Sequence, residues 1–164
     1  MPEPRSRAAA PADPRDIGGD FANRHEVKVR LADTDAMGHV NNASYLTYVE
    51  IARVAYYEQV TGNALAIGVH GAEEGMILAE IRMTYRSPAF YGETLVVETR
   101  VERIGRTSFG MVHRITAPES PYGQARLVAV ADSTLVSYDY TDERPIPVPD
   151  EWRTAIGSFE GHAL

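Results

Sequence analysis

The chain has 164 residues, 44% of them hydrophobic and 24% charged, which is the size and composition of one globular domain. Its formal charge of -7 at pH 7 argues against a nucleic-acid partner, because phosphate backbones bind to basic surfaces. The absence of cysteine excludes disulfides, cysteine nucleophiles and thiolate metal sites. No apolar run is long enough to cross a membrane, so we expect a cytoplasmic protein without a membrane partner.

The first half of the chain predicts a tail, a strand and a long helix. Residues 1–23 are rich in proline, alanine, arginine and aspartate and have no hydrophobic periodicity, which predicts a disordered tail. Alternation over 25–31 predicts a short strand with one buried face. After a loop over 33–42, apolar residues recur at steps of three and four over 43–60, which predicts a core-facing helix that ends at Gly62.

Four longer strands are predicted after the helix, because apolar and polar residues alternate over 77–85, 95–102, 109–115 and 124–138. The first of these strands is predicted to bury one face, formed by Ile77, Ala79, Ile81, Met83 and Tyr85. Short turns favour antiparallel hairpins, so the predicted fold class is α+β, with one long helix packed on a curved antiparallel sheet of about five strands. We place a single domain at 24–149 and a C-terminal extension at 150–164, with a short helix at 151–156.

Several common catalytic signatures are absent from the sequence. No serine stands in a G-x-S-x-G elbow, and no glycine-rich phosphate loop is followed by a lysine. The five histidines show no helical metal-binding spacing. We therefore expect no metal site.

The loop before the helix, DTDAMGHVNN, carries the most reactive combination of residues. Asp35 stands close to a helix start, where free amides and the positive end of the helix dipole attract negative charge. Those amides can hold the oxygen of a substrate carbonyl while the carboxylate attacks the carbon or activates a water. The alternative is that Asp35 only caps the loop, since aspartate is common in turns.

Three further residues of this loop have two interpretations each. His39 can orient or polarise a water near Asp35, or it can be a hydrogen-bonded loop residue. Asn41 and Asn42 are more typical of helix caps than of catalysts, and one of them is the predicted N-cap.

A second polar group stands around one predicted hairpin turn, in the run RIGRTS. It consists of Arg103, Arg106 and Ser108. Arginine side chains match the geometry of phosphate, so this turn is a candidate site for a phosphate-bearing ligand. The alternative is an ordinary solvated turn.

The run DTDAMGHVNNASYLTYVEIAR resembles the signature of the hotdog-fold acyl-CoA thioesterases, the group typified by 4-hydroxybenzoyl-CoA thioesterase. The resemblance continues through YRSPAFYGETL and RIGRTSF, in the order and spacing of that family, and covers about residues 25 to 149. It implies a hotdog fold, in which an antiparallel sheet wraps a long helix. It also implies hydrolysis of an acyl-CoA thioester to the free acid and coenzyme A, without a metal or prosthetic group.

The resemblance implies a role for individual residues. Asp35 matches the family's catalytic carboxylate, either nucleophile or general base, and the backbone amide of Asn42 matches the group that polarises the thioester carbonyl. His39 matches a histidine implicated in long-chain and acyl-carrier thioesterases, but Met37 stands where those enzymes have a catalytic asparagine. The positions that match contacts to coenzyme A are Ser87, Pro88, Arg103, Arg106 and Ser108.

The resemblance also implies a homodimer or homotetramer with the active site at the subunit junction. Two other functions stay open from the sequence: a hotdog dehydratase or hydratase acting on acyl thioesters, and an acyl-CoA-binding module without catalysis. The former generally needs a histidine paired with a carboxylate on the central helix, whereas His39 precedes that helix. The sequence does not determine the acyl group, nor whether coenzyme A or an acyl-carrier protein bears it.

Overall fold

The computed structural model describes residues 18–62, 73–161 and 164, so most of the tail predicted at 1–23 lies outside the described residues. The elements follow in the order β1 (Asn23–Lys28), a 3-10 turn (Leu31–Asp33), α1 (Ser44–Thr61), β2 (Glu74–Tyr85), β3 (Thr94–Ile104), β4 (Ser108–Ala117), β5 (Arg126–Asp139), β6 (Arg144–Pro145) and α2 (Asp150–Glu160). Each predicted helix and strand is present, with its ends shifted by a few residues.

The strands form one antiparallel sheet in the order β1-β3-β4-β5-β2, with β6 paired to β5. Helix α1 packs on one face of this sheet, where its buried side chains join those of the strands in the core. This arrangement confirms the predicted α+β class and the hotdog fold. The short strand β6 was not predicted, because Pro145 cannot donate to a ladder and the pairing ends after two residues.

Helix α1 turns its apolar stripe toward the sheet. Its buried residues are Tyr45, Tyr48, Val49, Ala52, Tyr56 and Tyr57. Gly62 ends the helix in the left-handed conformation, with φ of 70°, as predicted. The predicted N-cap is wrong, because Ala43 occupies that position and the helix starts without a side-chain cap. Asn41 instead accepts the Ala43 amide through its side-chain oxygen at 2.9 Å, in a turn that precedes the helix.

A β-bulge in β2 corrects the burial pattern predicted for that strand. The register shifts between Leu78 and Glu80, so Ala79 is an extra residue opposite β5. Before the bulge, Met76 rather than Ile77 belongs to the side that packs against the core. Strict alternation carries no sign of a bulge, so the predicted face packs against the core only at Ile81 and Met83, while Tyr85 is exposed.

The core consists of two apolar clusters with a buried polar layer between them. One cluster lies under the first half of α1, and the other lies under its second half, where α2 adds Trp152 and Ile156. The polar layer consists of His113, Thr99 and Ser133. The ring nitrogens of His113 lie 3.0 Å from Thr99 Oγ1 and 3.1 Å from Ser133 Oγ. Burial, and secondarily the charge of a nearby arginine, lowers the pKa of His113 to about 3. The imidazole is therefore neutral in the folded protein.

Residues 18–22, which belong to the predicted tail, pack on the opposite face of the sheet. The ring of Phe21 lies between two guanidinium groups, 4.7 Å from that of Arg100 and 4.5 Å from that of Arg114. Arg100 also donates to the carbonyl of Gly18 at 2.8 Å. Specific contacts therefore hold this last part of the tail against the domain.

We predict that His113→Gln weakens the acid dependence of folding stability. The folded protein keeps the imidazole neutral, whereas the unfolded chain takes up a proton near its ordinary pKa of 6.5. Stability from this group is therefore complete above that pH and falls as the pH drops toward 3, with a slope approaching about 1.4 kcal/mol per pH unit. Chemical denaturation of both proteins between about pH 7 and pH 4 measures the slope. Equal slopes would contradict the prediction.

Candidate active site

The loop between β1 and α1 holds the predicted catalytic residues, and it is anchored at Asp33. Arg30 donates to the two carboxylate oxygens of Asp33 at 2.8 and 3.2 Å, and these bonds hold the pKa of that carboxyl below its usual range. The Asp33 carbonyl accepts the amide of Asn41 at 2.8 Å and the hydroxyl of Ser44 at 3.0 Å. These bonds bring the two ends of the loop together at the start of α1.

Asp35 lies in a tight turn that fixes one of its carboxylate oxygens. Oδ1 accepts the amide of Met37 at 2.8 Å, and the backbone carbonyl accepts the amide of Gly38 at 3.1 Å. The turn requires φ of 84° at Gly38, a conformation that favours glycine. The other carboxylate oxygen, Oδ2, lies 3.7 Å from Nδ1 of His39. Asp35 is thus oriented toward the histidine.

His39 stands between Asp35 and the cavity described below. Its Nδ1 lies 3.3 Å from the carbonyl of Val40 as well as 3.7 Å from the Asp35 carboxylate. Two acceptors on this side favour the tautomer that has its proton on Nδ1. In that tautomer Nε2 is the basic ring nitrogen, which can accept a proton from a water molecule.

The backbone amide of Asn42 is a free donor at the start of α1. The amides of its neighbours are bonded: that of Asn41 to the Asp33 carbonyl, and those of Ala43 and Ser44 to Asn41. Within the part of the chain that the structure describes, the Asn42 N–H has no acceptor. A free N–H at a helix start is a suitable donor for an oxygen that becomes negative.

Asn42 lines a cavity of about 330 Å³. Its lining residues are His39, Val40, Asn42, Tyr45, Tyr85, Arg86, Ser87 and Pro88. The structure thus brings four of the predicted site residues to one cavity, while Asp35 meets it through its contact with His39. A wider cavity of about 620 Å³ lies next to Glu160, and none of the predicted site residues lines it.

Two tyrosines that were not assigned to the site from the sequence form a wall of the 330 Å³ cavity. The rings of Tyr45 and Tyr85 lie 5.4 Å apart, and the Tyr85 hydroxyl donates to the carbonyl of Asn42 at 3.0 Å. Burial raises the pKa of Tyr45 to about 12 and also raises that of Tyr85, so both hydroxyls stay protonated at neutral pH. Hydrophobic spacing assigned both tyrosines to buried faces, and it cannot show that the end of β2 meets the start of α1.

The residues predicted to contact coenzyme A fall into two separate groups. Ser87 and Pro88 line the cavity, whereas Arg103, Arg106 and Ser108 surround the hairpin between β3 and β4. The catalytic loop lies beside the other end of β3, a strand of 11 residues that spans about 35 Å. Within one chain, the hairpin therefore does not reach the catalytic loop.

The hairpin between β3 and β4 is hydrogen-bonded to α2 and carries exposed arginines. Arg153 of α2 donates to the carbonyls of Gly105 and Arg106. The side chain of Arg103 lies over Gly110, where a Cβ would come within 2.7 Å of the guanidinium carbon. Glycine at this position therefore lets Arg103 lie along the sheet, and both hairpin arginines stay exposed.

The described residues offer neither a metal cluster nor a membrane span. Among them, no three histidine, aspartate or glutamate side chains are grouped so that they could hold a metal ion. No helix within residues 18–62 and 73–161 is long and apolar enough to cross a bilayer.

Comparison with known proteins finds relatives over most of the chain. Residues 29–156 match the model of the thioesterase-like superfamily. YneP of Bacillus subtilis, a putative acyl-CoA thioesterase, is 34% identical over 80 residues, which are 49% of this chain and 56% of that protein. FadM of Escherichia coli, a long-chain acyl-CoA thioesterase, is 27% identical over 131 residues, which are 80% of this chain and 94% of that protein.

Solved structures show the same architecture. A thioesterase from Thermus thermophilus, complexed with coenzyme A and Zn, has a TM-score of 0.72 and 32% identity over 88% of this chain and 98% of its own. PA2801, a putative thioesterase from Pseudomonas aeruginosa, has a TM-score of 0.71 and 35% identity over 84% of this chain and 99% of its own. The similarity therefore extends through nearly the whole of both neighbours.

We expect the two adjacent asparagines to differ in their contribution to stability. Asn41→Ala removes the acceptor of the Ala43 amide, so the free energy of unfolding should fall by about 1 kcal/mol. Asn42 takes part in the loop through its main chain, so Asn42→Ala should change the free energy by less than about 0.5 kcal/mol. Urea denaturation of both variants measures the difference. A loss as large in Asn42→Ala would mean that its side chain also holds the loop.

Proposed function

Since the chain belongs to the thioesterase-like superfamily and is a thioester hydrolase, we propose that it hydrolyses acyl-CoA thioesters in the cavity beside Asn42. The observation that carries this proposal is the free Asn42 N–H at a cavity that His39 also lines. An oxyanion donor and a basic group at one cavity are the two components that acyl transfer to water requires. The names of YneP and FadM support acyl-CoA as the substrate class.

In the proposed reaction, the thioester carbonyl oxygen accepts a hydrogen bond from the Asn42 amide. This donor becomes more effective as the oxygen gains negative charge, because it is already oriented and needs no rearrangement. The dipole of α1 adds to the effect, since the amide lies at the positive end of the helix. The Asn42 side chain has no role in this step.

The Asp35–His39 pair supplies the base. Water adds to the carbonyl carbon and gives a proton to the carboxylate, either directly or through His39, and the carbon–sulfur bond then breaks. The proton passes to the departing thiolate, so that free acid and coenzyme A are formed. The alternative route is attack by the Asp35 carboxylate itself, which breaks the carbon–sulfur bond, releases the coenzyme A thiolate and leaves an acyl-aspartate anhydride that water then hydrolyses to the free acid and the Asp35 carboxylate. Both routes need the free oxygen of Asp35, and neither uses a metal.

The nucleotide part of the substrate is assigned to the hairpin arginines of a second copy of the chain. Arg103 and Arg106 are exposed cations on an otherwise acidic protein, as a phosphate-bearing ligand requires. They lie too far from Asp35 in their own chain to act on the same molecule of substrate. The proposal therefore includes a homo-oligomer whose subunits share each site.

Strand β2 offers a suitable surface for that association. Among the described residues it pairs with β5 alone and is an edge of the sheet, and its exposed residues include Ile77, Leu78 and Tyr85. Antiparallel pairing of two such edges around a twofold axis would place the first residues of one β2 beside the last residues of the other. The last residues border the cavity, and the first lie at the hairpin end of the sheet. Pairing through β2 would thus bring the hairpin of one chain toward the cavity of its partner.

We predict that Asp35→Asn lowers kcat at least about a hundredfold, because the amide cannot act as a base or a nucleophile. Thiol release from a panel of short, medium, long and aromatic acyl-CoAs, followed with a thiol-reactive dye, measures the loss. Asp132→Asn is the matched control, since Asp132 is an exposed acid on β5 outside the cavity.

Full activity of Asp35→Asn would remove Asp35 from the mechanism. If wild-type protein binds acyl-CoA without releasing thiol, it is a binding module, and if it hydrates an enoyl-CoA, it is a hydratase. Ultraviolet absorbance of the enoyl group separates the hydratase from the thioesterase.

Removal of a hairpin arginine should weaken binding of coenzyme A without affecting the chemistry. We expect Arg106→Gln to raise KM for an acyl-CoA about tenfold, because a hydrogen bond to a charged group contributes on the order of 1.5 kcal/mol. KM for the same acyl group on pantetheine, which lacks the nucleotide, should not change. Arg24→Gln removes a charge from β1 and serves as control. Equal effects on both substrates would contradict nucleotide binding by the hairpin.

A further inference from the structure

The Asn42 N–H is the unbonded group among the backbone polar groups that flank the Asn42 Cα. The two peptide units that flank its Cα contain two carbonyls and two amides. The Asn41 carbonyl accepts the Ser44 amide at 2.9 Å, and the Ala43 amide donates to the Asn41 side chain at 2.9 Å. The Asn42 carbonyl accepts the Tyr85 hydroxyl at 3.0 Å. Only the Asn42 N–H is left without a partner among the described residues.

These three bonds differ in where their partners come from. Two are made within the loop and the first turn of α1, so they move together with the loop. The third comes from Tyr85, the last residue of β2 and 43 positions away in sequence. Of the three bonds, it is the one that ties the Asn42 peptide to the sheet and to the far wall of the cavity.

The environment of Tyr85 holds its hydroxyl in place. Its ring packs on that of Tyr45 at a centroid distance of 5.4 Å and an angle of 59°, and both rings line the cavity. The backbone of Tyr85 is paired with β5, opposite Ala129. Ring packing and strand pairing thus restrain the donor before any substrate enters.

We propose that Tyr85 is a positioning residue for thioester hydrolysis, which aims the Asn42 amide into the cavity through its hydrogen bond to the Asn42 carbonyl. This inference rests on the proposed function, in which that amide binds the thioester oxygen. Without the hydroxyl, the peptide between Asn42 and Ala43 is held only by the bond of its Ala43 amide to Asn41, within the loop, so its plane can tilt relative to the sheet. The neighbouring N–H then points into the cavity for only part of the time, and the developing oxyanion is stabilised less.

Substitution of Tyr85 by phenylalanine tests this role, because it removes only the hydroxyl and keeps the cavity wall. We expect kcat for acyl-CoA hydrolysis to fall about three- to tenfold, the effect of one hydrogen bond, while KM stays within about twofold. The matched control is Tyr56→Phe. Tyr56 also makes a long-range hydroxyl bond, to Glu160 at 2.6 Å, but at the other end of α1 and outside the cavity. The melting temperature of each variant is measured alongside its kinetics.

The outcomes separate positioning from a general effect on stability. A lower kcat in Tyr85→Phe at an unchanged melting temperature, with normal kcat in Tyr56→Phe, supports the proposal. Wild-type kcat in Tyr85→Phe overturns it. So does a fall in kcat that follows the melting temperature in both variants, because that pattern is a loss of stability. If the wild-type protein hydrolyses no acyl thioester, the proposed function itself fails, and the positioning role fails with it.

Discussion

The carbonyl of Asp33 is the acceptor on which the geometry of the catalytic loop depends. It receives two donors from the other end of the loop, the Asn41 amide and the Ser44 hydroxyl, and so joins the end of the 3-10 turn to the start of α1. Arg30 fixes Asp33 from the solvent side through two charge-assisted bonds. Closure of the loop determines where α1 begins, and the start of α1 determines which amide has no acceptor. The free N–H of Asn42 is therefore a product of the bonds around it rather than of its own side chain.

The packed core of the domain holds α1, and with it the catalytic loop, in place. The polar layer at His113 divides the core into a cluster beneath the loop end of α1 and a cluster to which α2 contributes. Helix α2 adds Trp152 and Ile156 at the end remote from the catalytic loop. Apolar burial is thus distributed along the whole of α1, so its first turn is held by packing as well as by hydrogen bonds. The helix is therefore stable although its first turn borders an open cavity.

Features determined by neighbouring residues were predicted well from the sequence, whereas features that depend on contacts between distant residues were missed. Gly62 ends α1 as expected, because a left-handed glycine acts within its own turn. Alternation located every long strand, since burial of one face imposes a period of two. The bulge at Ala79 was missed because an extra residue changes pairing with β5 without any mark in the hydrophobic pattern. The start of α1 was placed too early, because a side chain that closes a turn at Asn41 resembles a helix cap in sequence.

The candidate site shows the same division between local and distant information. Asp35, His39 and Asn42 lie within one short stretch, and the resemblance of that stretch to a known family gave them roles that spacing alone left undecided. Tyr85 could not be found in this way, because its bond to Asn42 joins a strand end to a helix start 43 residues earlier. Strand β2 thus has two proposed roles. Its last residue, Tyr85, restrains the Asn42 amide, and its unpaired edge is the surface assigned to a second copy of the chain. In the proposed oligomer, pairing of this edge would restrain the strand that carries Tyr85, so association and orientation of the oxyanion donor would be coupled through one element.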